Sequence, residues 1–384
     1  MSENRLASPV LFYVVDWLPP DFGAVGQYGL KFAREIAETG RRVCLIGLTS
    51  GAPETRREVL EDGGTLEIRR IAAARYKKSS YLRRLFWTFR TDLRLIWEVV
   101  RHPRSRRAEI LFTGAPPFML FFAVAAKWLR GARLIYRITD FYPEVIIAEL
   151  GKSSLLLTFF QHITWFLRRR VDAFEVLGED QRRVLVAGGI APERITLKRD
   201  TSPIRISRSV KPASRPRELA GRQVLLYSGN YGVPHEVETV VDGLIRHHRA
   251  GSGRFALWLN ASGANADVVE NRLRSAGIPI ARSEPGPLEQ LPALLAAADA
   301  HLITLRPSFS GIVLPSKIYA CLDSGRPILF VGPKSSDVHL LCTQTERLTY
   351  EQVDPADSAG FASALERLAE VTTARKRRSN DDQR

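Results

Sequence analysis

Short apolar runs alternate with amphipathic segments through most of the chain. Residues 10–15 form an unbroken apolar run of strand length, and a glycine-bearing loop then leads to a helix-periodic stretch at residues 28–39. Residues 42–48 predict the next strand, closed by Thr49-Ser50-Gly51, and residues 66–71, 110–112, 133–138 and 173–177 continue the series. Helical periodicity at residues 82–100 and 155–169 lies between them, as expected of a parallel sheet with crossover helices. Residues 199–222 carry Asp, Thr, Ser, Pro and Arg without periodicity and read as a linker. The alternation then restarts, with strands at 224–227 and 255–259 and near Ile278, Ala300 and Ile328, and a last helix at 361–371. Residues 375–384 are polar and charged and predict a disordered tail. The expected fold is therefore α/β, with two Rossmann-like domains (residues 1–198 and 223–374) facing each other across a cleft.

Residues 110–129 are apolar over roughly a bilayer's thickness, but Pro116-Pro117 interrupts them and Lys127 lies inside. A buried strand, a turn and a core-facing helix account for this run better than a membrane span. A length of 384 residues with 45% hydrophobic and 25% charged side chains fits a soluble two-domain protein. Cys44, Cys321 and Cys342 lack metal-type spacing, and the N-terminus shows no signal-peptide pattern, so a reducing, cytoplasmic setting is expected.

The net charge of +15 is uneven, because residues 67–107 hold 13 Lys/Arg against 3 Asp/Glu. Within them Leu82, Leu85, Phe86, Phe89, Leu93, Ile96, Trp97 and Val100 make one apolar arc, flanked by Arg83, Arg90, Arg94 and Arg101 with Trp87 just beyond. A basic stripe beside an apolar face suits an anionic membrane surface. A core-packed helix with a solvated flank remains an alternative; nucleic acid is the disfavoured partner, although charge alone does not separate its phosphodiesters from lipid headgroups.

The candidate chemistry lies near the C-terminus. An apolar strand at 300–305 leads into Ser310-Gly311-Ile312-Val313-Leu314-Pro315-Ser316-Lys317, and then through Gly325-Arg326-Pro327 into another strand. Small residues at such a place let backbone N–H groups approach a ligand, and a following helix N-terminus suits phosphate. The first loop, Gly23-Ala24-Val25-Gly26-Gln27-Tyr28-Gly29, lacks dinucleotide spacing, and the next strand ends at Gly47-Leu48-Thr49-Ser50 without an acidic residue, which disfavours NAD.

Four stretches, taken in order, resemble the two-domain GT-B glycosyltransferases, specifically the family 4 type that assembles bacterial surface polysaccharides. They are Asp16-Trp17-Leu18-Pro19-Pro20 with the glycine loop; Ile138-Thr139-Asp140-Phe141-Tyr142-Pro143-Glu144; Tyr227-Ser228-Gly229-Asn230-Tyr231-Gly232; and Leu314-Pro315-Ser316-Lys317-Ile318-Tyr319 with Gly325-Arg326-Pro327. Thr113-Gly114-Ala115-Pro116-Pro117 is similar to a turn of the same subgroup. The resemblance implies a hexosyltransferase that holds a nucleotide-sugar donor in the second domain and a lipid-linked or oligosaccharide acceptor in the first. It also implies retention of anomeric configuration, no metal and no cofactor, and work at the inner face of the plasma membrane. Ser228, Gly229 and Asn230 would face the cleft, Arg282 would lie near the nucleobase, and Ser310, Gly311, Ser316 and Lys317 would lie near the diphosphate. Gly23 and Gly26 would line the donor from the first domain, where Asp140 is the candidate catalytic group. The sequence departs from the family where two glutamates are usual, at Ile312 and Ala320, and where Arg, Lys and His are usual, at Asn230, His235 and Thr139. Those losses leave a non-catalytic GT-B scaffold or partner subunit as the alternative.

Overall fold

The computed structural model describes residues 9–21, 24–74, 81–113, 118–207 and 209–381. They form two compact units: residues up to Leu177 with Gln181–Arg199, and Gly178–Asp180 with Asp200 onward.

Unit 1 comprises β1 (Leu11–Trp17), α1 (Ala24–Glu38), β2 (Arg42–Thr49), β3 (Glu54–Val59), β4 (Thr65–Ala72), α2 (Tyr81–Arg101) and β5 (Glu109–Thr113). It continues through α3 (Met119–Arg130), β6 (Arg133–Ile138), α4 (Glu144–Leu150), α5 (Leu155–Arg168), β7 (Ala173–Val176), α6 (Glu179–Ala187) and β8 (Ile195–Leu197). The sheet order is β3-β4-β2-β1-β5-β6-β7-β8. Its central strands are buried on both faces, which is why they read as unbroken apolar runs. β3 is the exception: it is exposed, pairs antiparallel with β4, and its Glu-Thr-Arg-Arg-Glu-Val carries no apolar signal. The order reverses between β1 and β5, so the ligand crevice of such a sheet lies beyond the carboxyl ends of those strands.

Unit 2 comprises β9 (Gln223–Asn230), α7 (Glu238–Ala250), β10 (Phe255–Ser262), α8 (Ala264–Ser275), β11 (Ile280–Ser283), α9 (Leu291–Ala296) and β12 (Ala300–Thr304). α10 (Lys317–Asp323), β13 (Ile328–Val331), α11 (Asp337–Gln344), β14 (Tyr350–Val353) and α12 (Ser358–Asp381) complete it. The sheet is parallel, in the order β11-β10-β9-β12-β13-β14, and reverses between β9 and β12. Two corrections to the sequence reading arise here. The segment expected as a linker packs instead, because Ile204, Ile206 and Leu219 join the apolar cluster beneath β9 and β10. The tail expected to be disordered continues α12 to Asp381, and Arg375 donates to the Gly325 carbonyl at 2.9 Å. Its Lys/Arg side chains are good helix formers, so charge does not end the helix.

Candidate functional site

The switch point of unit 2 brings the end of β9 together with the loops after β12. Lys317, the first residue of α10, lays its Nζ 3.3 Å from the centroid of the Tyr227 ring, and that nitrogen is buried with no hydrogen-bond partner among the described residues. Burial lowers its pKa to about 7. Beneath it, Tyr227 stacks on Tyr231 at 4.2 Å, and the His235 ring meets both edge-on. His235 does not supply the missing cation. Its Nδ1 lies 2.8 Å from the Thr304 carbonyl, which fixes that nitrogen as the donor, and burial drives its pKa down to about 3. The ring is neutral and structural.

Gly229, at φ +116°, leaves the approach to Lys317 open: a Cβ there would lie 3.9 Å from Nζ. Ser228 Oγ donates to Asn260 Oδ1 at 3.2 Å, and Asn260 Nδ2 donates to Ser283 Oγ and the Glu284 carbonyl, tying together the ends of β9, β10 and β11. Asn230 is exposed at the end of β9. Arg282 lies two strands away on the same sheet edge, 3.6 Å from Asp267 and 3.5 Å from Glu284, with one guanidinium nitrogen buried and unpaired among the described residues. Gly311 takes the left-handed φ of +77° in the loop after β12, a conformation that favours glycine. Ser310 Oγ lies 3.3 Å from Ser335 Oγ, and Ser316 precedes α10 without a side-chain cap. Ile312 and Ala320, where glutamates are usual, are buried core residues. The structure therefore groups Ser228, Gly229 and Lys317 closely and places Arg282 at the far end of the same edge.

In unit 1, Asp140 follows β6 and Asp16 ends β1, on either side of β5 at the carboxyl edge of the sheet. Burial raises both carboxyls to about 6, and the Asp16 charge adds to the rise at Asp140. Asp16 Oδ1 has no hydrogen-bond partner among the described residues. Sequence reasoning did not select Asp16; its signal was an acidic residue at a strand's carboxyl end beside the switch point. Glu144 is structural, held by Arg168 through contacts of 2.6 and 2.9 Å. Gly26 is buried where a Cβ would collide with the Trp17 carbonyl, so it serves the close packing of α1 on β1. Gly23 lies outside the described residues, as does Gly114-Ala115-Pro116-Pro117.

Residues 23–199 match the glycosyl transferase 4-like domain family. The chain is 23% identical over 288 residues to the probable glycosyltransferase WbjE of Pseudomonas aeruginosa, covering 70% of this chain and 68% of that protein. Its fold is that of solved GT-B glycosyltransferases. Anabaena HepE in complex with UDP-glucose matches with a TM-score of 0.60 at 12% identity, over 94% of this chain and 90% of that one. WaaG, a glycosyltransferase involved in lipopolysaccharide biosynthesis, matches with a TM-score of 0.56 at 15% identity and the same coverages. The whole chain thus shares the fold of these glycosyltransferases, and the family match falls on its first unit.

Unit 1 also carries the basic helix α2. The whole apolar arc was expected to form one face, but the helix divides it. α2 buries Thr88, Thr91, Asp92, Leu95, Ile96 and Val99 and turns Phe86, Phe89, Leu93 and Trp97 outward. The arc is wider than the underlying sheet and α3 can cover. Arg83, Arg90, Arg94 and Arg101 are exposed beside this outward stripe. Trp87 is instead tucked against the domain, stacked on Trp17 at 6.1 Å and donating through Nε1 to the Ala74 carbonyl. Among the described residues no helix is long and apolar enough to cross a membrane.

Proposed function

We propose that unit 2 binds a nucleotide-sugar through Lys317 and that the chain transfers its hexosyl group to a lipid-linked glycan acceptor held by unit 1. The transfer retains anomeric configuration, needs no metal or cofactor, and belongs to polysaccharide biosynthesis at the inner face of the plasma membrane. The observation that carries this reading is Lys317: a buried amine with no partner among the described residues, at the switch point of a Rossmann-like sheet, is a site awaiting an anion. Breaking the sugar–phosphate bond builds negative charge on the leaving diphosphate. A preorganised ammonium with Gly229 beside it stabilises that charge where it develops.

Asp140 accepts the proton of the attacking hydroxyl. Its carboxyl, raised to about 6, is ionised at neutral pH yet basic enough to act. Lys317 and Arg282 supply the positive charge of the donor site. The names of WbjE and WaaG and the UDP-glucose bound to HepE support donor class and pathway. The exposed apolar stripe of α2 with its four arginines supports the membrane setting, at about 1 kcal/mol per basic residue near an anionic surface.

Incubation of the purified chain with UDP-, GDP- and dTDP-sugars tests the proposal through slow donor hydrolysis. Neither hydrolysis nor nucleoside diphosphate binding would leave the scaffold reading, which the burial of Ile312 and Ala320 favours.

A further inference from the structure

A second feature of unit 1 has no part in donor or acceptor chemistry. A cavity of about 520 Å³ opens where α3 and α5 end and β7 begins, lined by Lys127, Trp128, Arg169, Arg170, Asp172 and Arg194. These residues precede or follow the amino ends of the strands, so the cavity lies at the opposite edge of the sheet from Asp140. Its single carboxylate is already engaged. Asp172 takes Lys127 Nζ at 2.6 Å on one oxygen and the Leu134 N–H at 2.7 Å on the other.

The three arginines are left without a counter-charge. Arg169 reaches the Gly188 carbonyl at 3.3 Å, Arg194 reaches the Arg169 carbonyl at 3.2 Å, and Arg170 lies over the Phe166 ring at 4.7 Å. None of the three has a carboxylate within ion-pair distance among the described residues. Arginines at the end of α5 answer the helix dipole, but that role is largely filled, since the Arg170 carbonyl accepts from Lys127 and the Arg169 carbonyl from Arg194. Like charges gathered in one concavity repel one another, and an anion seated among them relieves that repulsion.

The rim identifies the kind of anion. Trp128 lines the cavity and is 63% exposed, and Phe166, under the Arg170 guanidinium, is 49% exposed. A free phosphate has no use for these side chains, whereas a phospholipid presents a phosphodiester and acyl chains side by side, and tryptophan favours that boundary. α2 and α3 end together here, since Arg130 Nε donates to the Val100 carbonyl at 2.8 Å. The outward stripe of α2 therefore runs toward the same end of the helix layer.

We propose that this cavity seats the phosphodiester headgroup of an anionic phospholipid, with its acyl chains against Trp128 and Phe166. The inference rests on the membrane reading above and adds to it a seat for an individual lipid. The test titrates the full chain with dihexanoyl phosphatidylglycerol below its micelle concentration, followed by tryptophan fluorescence, beside dihexanoyl phosphatidylcholine, inorganic phosphate and a single-stranded RNA. Saturable binding of the glycerol lipid, at least tenfold tighter than the choline lipid or phosphate, is expected. Arg169→Gln with Arg194→Gln should weaken it at least tenfold and leave donor hydrolysis unchanged. Trp128→Ser, at an exposed position that does not bear on folding, should weaken the lipid and not phosphate; here calorimetry replaces fluorescence. Replacing the four α2 arginines by glutamine should release the chain from vesicles yet spare the short-chain lipid, which separates this seat from the broader membrane reading. Phosphate binding as tightly as the lipid, with Trp128→Ser silent, would overturn the proposal in favour of a free-anion site. RNA binding as tightly as the lipid, or no anion binding at all, would overturn it too.

Discussion

Lys317→Met should change nucleotide affinity and stability in opposite directions. Methionine keeps the length of the stem over Tyr227 and removes the charge. A charge-assisted contact to a diphosphate is worth about 1.5–3 kcal/mol, so the variant should bind the cognate nucleoside diphosphate about 10- to 150-fold more weakly. The pH dependence follows from the folded pKa of about 7 against an ordinary 10.5. In the empty site the amine loses its proton as pH rises through 7, whereas a bound diphosphate holds it protonated. Wild-type affinity should therefore fall by about 50-fold between pH 7 and 9 through proton linkage, and the methionine variant should lose this dependence. Stability carries the opposite sign. Between pH 7 and 10.5 the unfolded chain binds a proton that the folded chain does not, so wild-type stability rises with pH across that window. At about 1.4 kcal/mol per pKa unit the penalty at neutral pH is a few kcal/mol, and Lys317→Met should be more stable by that order. Calorimetric titration with UDP, GDP and dTDP at pH 7 and 9, with thermal melts in the same buffers, reads both effects. A variant with unchanged affinity and unchanged melting would refute the reasoning, because a buried, unpaired and functional ammonium cannot be removed silently.

Asp140→Asn should lower turnover by about 10²-fold or more with nucleoside diphosphate affinity nearly unchanged, as loss of a general base requires. Wild-type turnover should fall as pH drops through about 6, where Asp140 becomes protonated; an acid limb that persists in the variant would assign it to another group. Gly311→Val, forced into φ +77°, should weaken donor binding while the far-ultraviolet circular dichroism stays native. Arg168→Met should cost about 3–5 kcal/mol in a denaturant melt, because it leaves Glu144 without its buried partner. Replacing Arg83, Arg90, Arg94 and Arg101 with glutamine should abolish sedimentation with phosphatidylglycerol vesicles; wild-type binding should weaken as salt shortens the screening length from about 10 Å at 0.1 M.

Most of the fold was legible because the strands are buried on both faces and so announce themselves as apolar runs. β3 was not, since an exposed strand made of Glu, Thr and Arg has no alternation to detect. The packing of residues 204–219 was hidden by the prolines and arginines between three isolated apolar contacts. In unit 2 the motif located Lys317, but not its position over Tyr227, which depends on a strand 90 residues away in the chain. The neutrality of His235 was equally invisible, being set by its burial and by the Lys317 charge from α10. Asp16 was passed over because its relation to Asp140 appears only once β1, β5 and β6 lie side by side. On α2 the apolar arc was readable, but which half is buried was decided by the neighbours that could cover it.

The central claim is sugar transfer from a nucleotide donor by a site built around Lys317, with Asp140 as base. Its most direct measurement is proton NMR of donor cleavage by the purified chain, with each of UDP-, GDP- and dTDP-hexoses supplied in turn. The account predicts cleavage of one nucleotide class, a first-formed sugar with the donor's own anomeric configuration, and strong loss of signal in both Lys317→Met and Asp140→Asn. Cleavage with inverted configuration, or cleavage that survives both substitutions, would contradict it.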